Sequence, residues 1–373
     1  MGKQILITGG AGFVGSHLAD GLLQAGHKVR ILDDLTPQVH KTAPPDYLSR
    51  EVELVPGDIR DPNRLKEVLA GVEVVFHFAA CVGVGQSMYE ISRYMSVNTQ
   101  GTAELLQAIL DARCTLEKLV VASSMSIYGE GRYRCENCNQ DVAPPVRSTD
   151  QLRHGDWELR CRACGGVLSP RPTDETKPSE INSFYALSKR DQEEMCLIYG
   201  RTYGIPATAL RFFNIYGTRQ ALSNPYTGVA AIFASRMLNR QPPLVFEDGN
   251  QMRDFVSVHD IVQANMLAME RPESNYEVIN VGSGVPVTIQ QVAEILGRSL
   301  GTDIQPVITR RYRAGDIRHC YADISKAQRL LGYKPQVTHE EGFRELADWL
   351  RDQKAEDKAE TMLKELSAYG LTA

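Results

Sequence analysis

Gln4-Ile5-Leu6-Ile7-Thr8-Gly9-Gly10-Ala11-Gly12-Phe13-Val14-Gly15 opens the chain with a short apolar run and a glycine turn spaced G-x-x-G-x-x-G. The helix-like Ser16-His17-Leu18-Ala19-Asp20-Gly21-Leu22-Leu23 comes next, so the stretch predicts strand, turn, helix. Glycines let a backbone approach a pyrophosphate, and a helix N-terminus offers unpaired N–H groups and partial positive charge. Alone, such a turn is more commonly a plain tight turn or helix cap. The next strand gives it weight. Lys28 to Leu32 reads as a second strand and ends in Asp33-Asp34. An acid about 20 positions past the glycines suits a hydrogen bond to adenosine ribose hydroxyls. A 2'-phosphate would be repelled there, which favours NAD over NADP.

Further apolar runs continue the alternation. Val52 to Val55 leads into Gly57-Asp58-Ile59, and Val72 to Ala80 reads as a fourth strand. Lys118 to Ser124 is a fifth, Ile205 to Asn214 a sixth, and Tyr276 to Val281 a later one. Between them, Asp61-Pro62-Asn63 caps a helix, a long helical stretch lies within Met88 to Ala112 and carries Asn98, and another runs from about 183 to 203. The pattern predicts an α/β fold with a Rossmann-type, doubly wound parallel sheet. Ligands of such sheets sit outside the carboxyl ends of the strands, where the glycine turn, Asp33, Asp58, Ala79-Ala80 and Ser124 all fall. Residues 1–214 are expected to form the nucleotide-binding domain and 215–373 mainly a smaller substrate lobe. The stretch from about Glu340 to Tyr369 reads as a charged, solvated helix.

Tyr185-Ala186-Leu187-Ser188-Lys189 places a phenol and an ammonium four residues apart on one helix face. A lysine so placed would favour phenolate and bring a base of pKa near ~10 towards neutral pH. On its own the pair is an ordinary surface Tyr and Lys; its company argues otherwise.

The chain has 373 residues, 43% hydrophobic and 23% charged, with net charge -5. That composition is globular and gives no reason to expect nucleic acid or an anionic membrane as partner. No apolar run approaches a membrane span, and the first residues lack the pattern of a signal peptide, so the cytoplasm is the expected location. Of eight cysteines, Cys81, Cys114, Cys196 and Cys320 are scattered. Cys135-x-x-Cys138 and Cys161-x-x-Cys164 are not. They lie in an insert from about 130 to 172 that interrupts the alternation. Two such knuckles offer four thiolates, the set of a structural zinc, with no position left for substrate. A zinc-ribbon-like loop is the expectation, serving as a structural or interaction lobe.

Gly9 to Gly15, Ser124-Met125-Ser126-Ile127-Tyr128-Gly129, Tyr185-x-x-x-Lys189, Phe213-Asn214 and Arg253-Asp254-Phe255-Val256 together resemble the extended short-chain dehydrogenase/reductases, in their nucleotide-sugar epimerase/dehydratase branch. The resemblance covers nearly the whole chain apart from the insert. Val82 to Glu90 and the four cysteines are most similar to bacterial dTDP-L-rhamnose 4-epimerases. The resemblance implies that Ser124, Tyr185 and Lys189 are catalytic. It implies that NAD meets Gly9, Gly12, Phe13, Val14, Gly15, Asp33, Asp58, Ile59, Phe78, Asn98, Tyr185, Lys189 and Phe213. It implies that Ser126, Asn214, Arg253 and Arg313 meet the nucleotide-diphosphate sugar, arginine being suited to a phosphate clamp. It also implies a homodimer, built through two helices per subunit. The interval from Ser124 to Tyr185 departs from the family by its length, because the insert lies within it.

Family dehydratases carry Asp-Glu directly after the Ser/Thr, where this chain has Met125 and Ser126. Neither residue can act as that acid or base, which argues against 4,6-dehydration. Related uronic-acid decarboxylases commonly carry Glu at the Ser126 position. What remains is reversible oxidation at C4 of the sugar, a 4-epimerase. Another nucleotide-sugar epimerase, of UDP-glucose type, an NAD(P)H-dependent 4-ketoreductase, and a non-catalytic NAD-sensing protein stay open as alternatives.

Overall fold

The computed structural model describes residues 2–40, 44–224, 226, 228–313, 315–353 and 355–372. Seven parallel strands form the main sheet: β1 (Gln4–Thr8), β2 (Lys28–Asp33), β3 (Glu53–Pro56), β4 (Val74–His77), β5 (Lys118–Ser124), β6 (Ala207–Phe212) and β7 (Val278–Val281). Their spatial order is 3-2-1-4-5-6-7. Helices α1 (Phe13–Gln24), α2 (Pro62–Val68), α3 (Gly101–Asp111), α4 (Phe184–Tyr203) and α5 (Val258–Glu270) cover it. Alternation along β1 decides which face each side chain serves. Ile5 and Ile7 pack with Leu18 of α1 and Ile261 of α5, while Leu6 packs with Leu65, Leu105 and Cys196 of α2, α3 and α4. The expected doubly wound sheet is therefore present, buried on both faces. Asp61 caps α2 by accepting from Asn63 N and Arg64 N, with Pro62 at the first helical position. Such a cap contributes about 1 kcal/mol.

Several elements differ from the sequence reading. β4 stops at His77 because the Thr8 hydroxyl oxygen accepts from the Phe78 and Ala79 N–H groups and turns the chain out of the sheet. The expected helix between 88 and 112 is broken. A short helix at Ile91–Tyr94 widens into a π-helical turn, Met95–Gln100, before α3 begins. The wide turn places the Asn98 side chain inside, where it bonds both backbone groups of Cys81. The chain changes sheets at residue 214, where the domain boundary is expected. Asn214–Tyr216 does leave the main sheet, pairing with Met252–Ser257 in a second one. Yet α5 and β7 return to the main sheet, so residues 258–281 belong with the large layer.

The smaller lobe packs the helices Val229–Leu238, Ile289–Leu300 and His339–Leu350 around Phe233, Phe255, Leu296 and Phe343. The expected solvated helix from 340 to 369 is instead two helices. The first buries Phe343, Leu346 and Leu350, with Phe343 stacked on Tyr216 at 4.3 Å. The second, Ala359–Ala368, buries Met362 and Leu366. Charge hid both apolar stripes. The insert folds as a three-stranded antiparallel sheet of Arg132–Cys135, Gln140–Val142 and Ser169–Arg171. Among the described residues, no helix is long and apolar enough to cross a membrane.

Candidate active site

One cavity of about 1020 Å³ opens at the carboxyl ends of the main sheet and reaches the small lobe. Of the candidate site residues, Gly9, Gly12, Phe13, Val14, Gly15, Asp33, Asp58, Ile59, Phe78, Ser124, Ser126, Tyr185, Lys189, Phe213, Asn214, Arg253 and Arg313 all line it. Asn98 does not; it is buried behind the wall. The insert has not separated Ser124 from Tyr185.

At one end stands the glycine turn. Gly9 adopts φ +68°, and a Cβ there would lie 2.8 Å from Ala79 backbone atoms. Gly15 lets α1 close onto the turn, since its Cβ would lie 2.6 Å from Gly10. A Cβ on Gly12 would meet only the Gly9 carbonyl, at 3.4 Å. The backbone at the head of α1 is thus open to a close approach, which is what a pyrophosphate needs. Asp33 is held by the Ala11 and Leu35 N–H groups, each at 3.0 Å, so its carboxylate is fixed where β2 ends. The residues fit a dinucleotide.

In the middle stand the catalytic candidates. Ser124 ends β5, and its Oγ accepts from Ser126 N at 3.2 Å. Tyr185 lies in the first turn of α4, which is capped by Ser183, and its ring meets Tyr94 edge-on at 6.4 Å. Burial pushes the Tyr185 phenol up, and the Ser124 hydrogen bond pulls it partly back. Lys189 is buried beside it. Burial pushes its ammonium down to about 7, with the charges of Cys196 and Glu193 opposing. The expected lowering of the phenol by this lysine is not the main effect here. Burial disfavours both charged forms, and Lys189 donates to Gln192 Oε1 at 2.7 Å.

A buried relay stands behind Lys189. Gln192 Nε2 contacts Thr102 Oγ1 at 3.0 Å and His77 Nε2 at 3.1 Å, and His77 Nδ1 meets Thr8 Oγ1 at 2.8 Å. Burial, and then the nearby Lys189 charge, push His77 down to about 3, so it is neutral. Asn98 does related work. Its Nδ2 donates to Ser188 Oγ at 2.9 Å, and Ser188 donates to the Tyr185 carbonyl at 2.9 Å. The first chain ties β1 and β4 to α4, and the second ties the Cys81 backbone to the turn that carries Tyr185.

At the far end Arg253 donates to the Met252, Ile317 and Arg318 carbonyls and to Asp316 Oδ1. Arg313 pairs with Asp316 Oδ2 at 3.2 Å and lies over the Phe246 ring. Burial raises the Asp316 carboxyl, but Arg313, Arg253 and Arg147 outweigh it and hold the group below its ordinary value. Among the described residues, Ser126 Oγ, Asn214 Oδ1 and Arg313 Nε are buried without a hydrogen-bond partner. Buried polar atoms are seldom left so, and these three face a cavity. Gln220 and Gln251 line the same cavity, each with an unpaired buried Oε1. Sequence reasoning missed both, and no spacing or motif marks them.

The four insert sulfurs lie within 4.8 Å of one another, with Cys135–Cys164 at 3.4 Å and Cys138–Cys161 at 3.9 Å. Sulfurs about 2.3 Å from one tetrahedral ion would stand roughly 3.8 Å apart. The backbone N–H groups of Cys164 and Ala163 pull the Cys161 thiol down to about 7.

Residues 5–148 match the profile of the NAD dependent epimerase/dehydratase family, and residues 165–346 match that of GDP-mannose 4,6 dehydratase. The chain is 34% identical to a dTDP-L-rhamnose 4-epimerase of Burkholderia thailandensis, over 94% of this chain and 95% of that one. It is 33% identical to a UDP-N-acetyl-alpha-D-glucosaminuronate decarboxylase of Bacillus cytotoxicus, over 94% and 99%. A UDP-glucuronic acid 4-epimerase from Bacillus cereus, solved with UDP-glucuronic acid and NAD, superposes with TM-score 0.75 at 27% identity, covering 93% of this chain and 99% of that one. A glycine turn shaped for a dinucleotide, a Ser-Tyr-Lys centre and whole-length likeness agree, and the chain belongs to the nucleotide-sugar epimerase/dehydratase family of extended short-chain dehydrogenase/reductases.

Proposed function

We propose that the protein is an NAD-dependent nucleotide-sugar 4-epimerase that interconverts dTDP-L-rhamnose and dTDP-6-deoxy-L-talose through a transient 4-keto sugar. One observation carries the reading. Ser124, Tyr185 and Lys189 share a cavity whose carboxylates, among the described residues, are Asp33, Asp34, Asp58 and Asp316. The first three stand at the ends of β2 and β3, separated from β5 by β1 and β4. Asp316 is engaged by two arginines. No acid is left beside Tyr185 to expel a hydroxyl or assist loss of a carboxylate, so the centre suits oxidation and re-reduction at one carbon.

Tyr185 takes the proton of the 4-hydroxyl and later returns it. Ser124 hydrogen-bonds the same oxygen and partly offsets the rise that burial imposes on the phenol. Lys189, held by Gln192 and pushed down by burial to about 7, is protonated in part near neutral pH and lends that partial charge to the phenol and the ribose. Bound NAD supplies the hydride acceptor and, once reduced, the donor. Gly9, Gly12 and Asp33 hold its pyrophosphate and ribose, while Asp58, Ile59, Phe78 and Phe213 wall its site. Arg253 and Arg313, with Asn214 and Ser126, hold the sugar nucleotide at its diphosphate while the hexose turns. Binding energy from the diphosphate thus serves a step remote from it. The four cysteines hold a structural zinc, whose thiolates fix the insert. The working unit is a homodimer.

The sugar and base follow the Burkholderia relative; the fold-mates act on other sugars. Incubating the purified protein with dTDP-L-rhamnose, UDP-glucose and UDP-glucuronate, without added nicotinamide, tests the reading. Resolved C4 epimers of the rhamnosyl nucleotide are expected. Turnover of UDP-glucose alone would replace the substrate, and a requirement for stoichiometric NADH would make the protein a 4-ketoreductase.

A further inference from the structure

The insert is joined to the rest of the chain by hydrogen bonds such as Gly131 N–H to the His319 carbonyl at 2.9 Å, and by buried charges that converge on the substrate clamp. Arg147, in the insert, has a side chain 0% exposed. Its guanidinium donates to both oxygens of Glu247, at 2.8 and 2.9 Å, and to the Asp316 carbonyl at 3.1 Å. A fourth donation, to the Trp157 carbonyl at 3.1 Å, ties it back to its own lobe. Glu158 accepts from Arg318 at 2.5 and 3.1 Å, and Arg318 also grips Asp248 and Glu247. Glu130, where the insert departs, accepts from the backbone N–H groups of Arg318 and His319. Trp157 and Leu152 pack on Tyr312, the residue before Arg313. The segment that carries Arg313 and Asp316 is therefore held by the insert on one side. Arg253 and Arg313 hang from the Asp316 carboxylate on the other.

The insert cannot hold that position by packing alone. Its own apolar cluster is Tyr133, Cys135, Leu159, Cys161 and Leu168, so two of five members are the sulfur ligands themselves. A lobe of this size needs a staple. Tyr133 joins the Glu130 node and lies two residues before Cys135, while Glu158 lies three before Cys161. Both ends of the charge network are thus short tethers from the sulfurs. Freeing the sulfurs would loosen the partners of Arg318 and Glu247, whose side chains are 0% and 1% exposed. Buried charges without partners do not keep their places.

We propose that the four-cysteine lobe is a metal-locked brace for the diphosphate clamp, with Arg147 and Glu158 as positioning residues for Asp316, Arg253 and Arg313. The inference rests on the proposed diphosphate clamp and goes beyond it. Affinity for a nucleoside diphosphate depends on metal in the lobe, whereas affinity for NAD, bound at the ends of β1 to β3, does not.

Calorimetric titration of the full chain with dTDP, UDP and NAD, alongside metal analysis, tests this. The proteins compared are the wild type, Cys164→Ser at an exposed ligand, Glu158→Gln and Arg147→Lys. Cys164→Ser is expected to lose metal and to bind nucleoside diphosphate at least about tenfold more weakly, with NAD affinity changed less than about twofold. Glu158→Gln and Arg147→Lys are expected to keep metal and still weaken nucleoside diphosphate, which separates the brace from the metal site. The proposal falls if metal-poor protein binds the diphosphates unchanged, if NAD affinity falls in parallel, or if metal-replete wild type has no metal-dependent affinity. A wild type that binds NAD but neither diphosphate removes the clamp reading as well.

Discussion

At the scale of single residues, chemistry places Tyr185 where its loss is most informative. Tyr185→Phe keeps the ring and its edge contact with Tyr94 but removes the proposed proton acceptor. General acid–base groups typically contribute 10²–10⁴-fold, so kcat is expected to fall about 10³-fold while bound NAD is retained. Steady-state rates and the cofactor content of the purified variant check this. His77 gives a second expectation, in pH. Its folded pKa, about 3, lies below the ordinary value of 6.5. Between those values the unfolded chain binds more protons, so His77's contribution is full above about pH 6.5 and is lost as pH falls towards 3. Lowering pH from 7 to 5 should cost about 2 kcal/mol through this group. Asp254, raised by burial, pulls the other way. The measurement is therefore the difference between wild type and His77→Gln in urea unfolding at the two pH values. The candidates Tyr185 and Lys189 were legible by their four-residue spacing, and Ser124 by its place before Tyr128-Gly129. Gln192, Gln220 and Gln251 were not, since a glutamine's role depends on which neighbours fold against it.

At the scale of elements, strands read well and interrupted helices did not. β1, β4 and β5 carry apolar runs buried almost throughout, as a sheet covered on both faces requires. The π-helical turn at Met95–Gln100 has no signature in composition, because it is set by the bonds Asn98 makes to Cys81 and Ser188. The C-terminal helix escapes sequence reading for a different reason. Charged residues dominate its surface, yet Met362, Leu363, Leu366 and Leu371 line the cavity. It is latched from outside by Glu365, which accepts from Tyr89 at 3.1 Å and from Tyr226, while Tyr369 stacks on Tyr89 at 4.8 Å. Gly85, in the loop after β4, leaves room for it: a Cβ there would lie 3.2 Å from Leu366. The helix therefore roofs part of the cavity. Ending the chain after Asp357 removes that apolar roof, and losing one or two such side chains costs about 1.5–3 kcal/mol each. The KM for the nucleotide sugar is expected to rise at least about tenfold, with NAD content unchanged. A truncated enzyme with unaltered KM would show that the roof does not touch substrate.

At the scale of the whole molecule, a parallel doubly wound sheet was implied by the alternation of strands and helices, but its order, 3-2-1-4-5-6-7, and the return of β7 were not. The short run Val278–Val281 joins the sheet only because α5 brings it back beside β6, a long-range event that local pattern does not encode. The docking of the insert is likewise a matter of pairs far apart in sequence, such as Arg147 with Glu247. One surface feature bears on assembly. α3 and α4 pack against each other on one face of the sheet. Leu110 on α3 and Ile198 and Tyr203 on α4 are exposed, at 37%, 58% and 51%. The cavity opens at the strand ends, away from these helices' outer faces, so covering them would not close it. Two copies meeting through α3 and α4 would bury the three side chains and complete the proposed homodimer. A stable interface of this kind removes roughly 800 Å² per partner, more than two helices of this length supply without their apolar side chains. Ile198→Glu places a charge at the centre of that surface and is expected to halve the mass seen by light scattering, with Tyr185 and Lys189 left in place on the inner face of α4. A wild-type mass equal to one chain, or an Ile198→Glu mass equal to wild type at twice the chain, would mean that these helices meet solvent or some other surface.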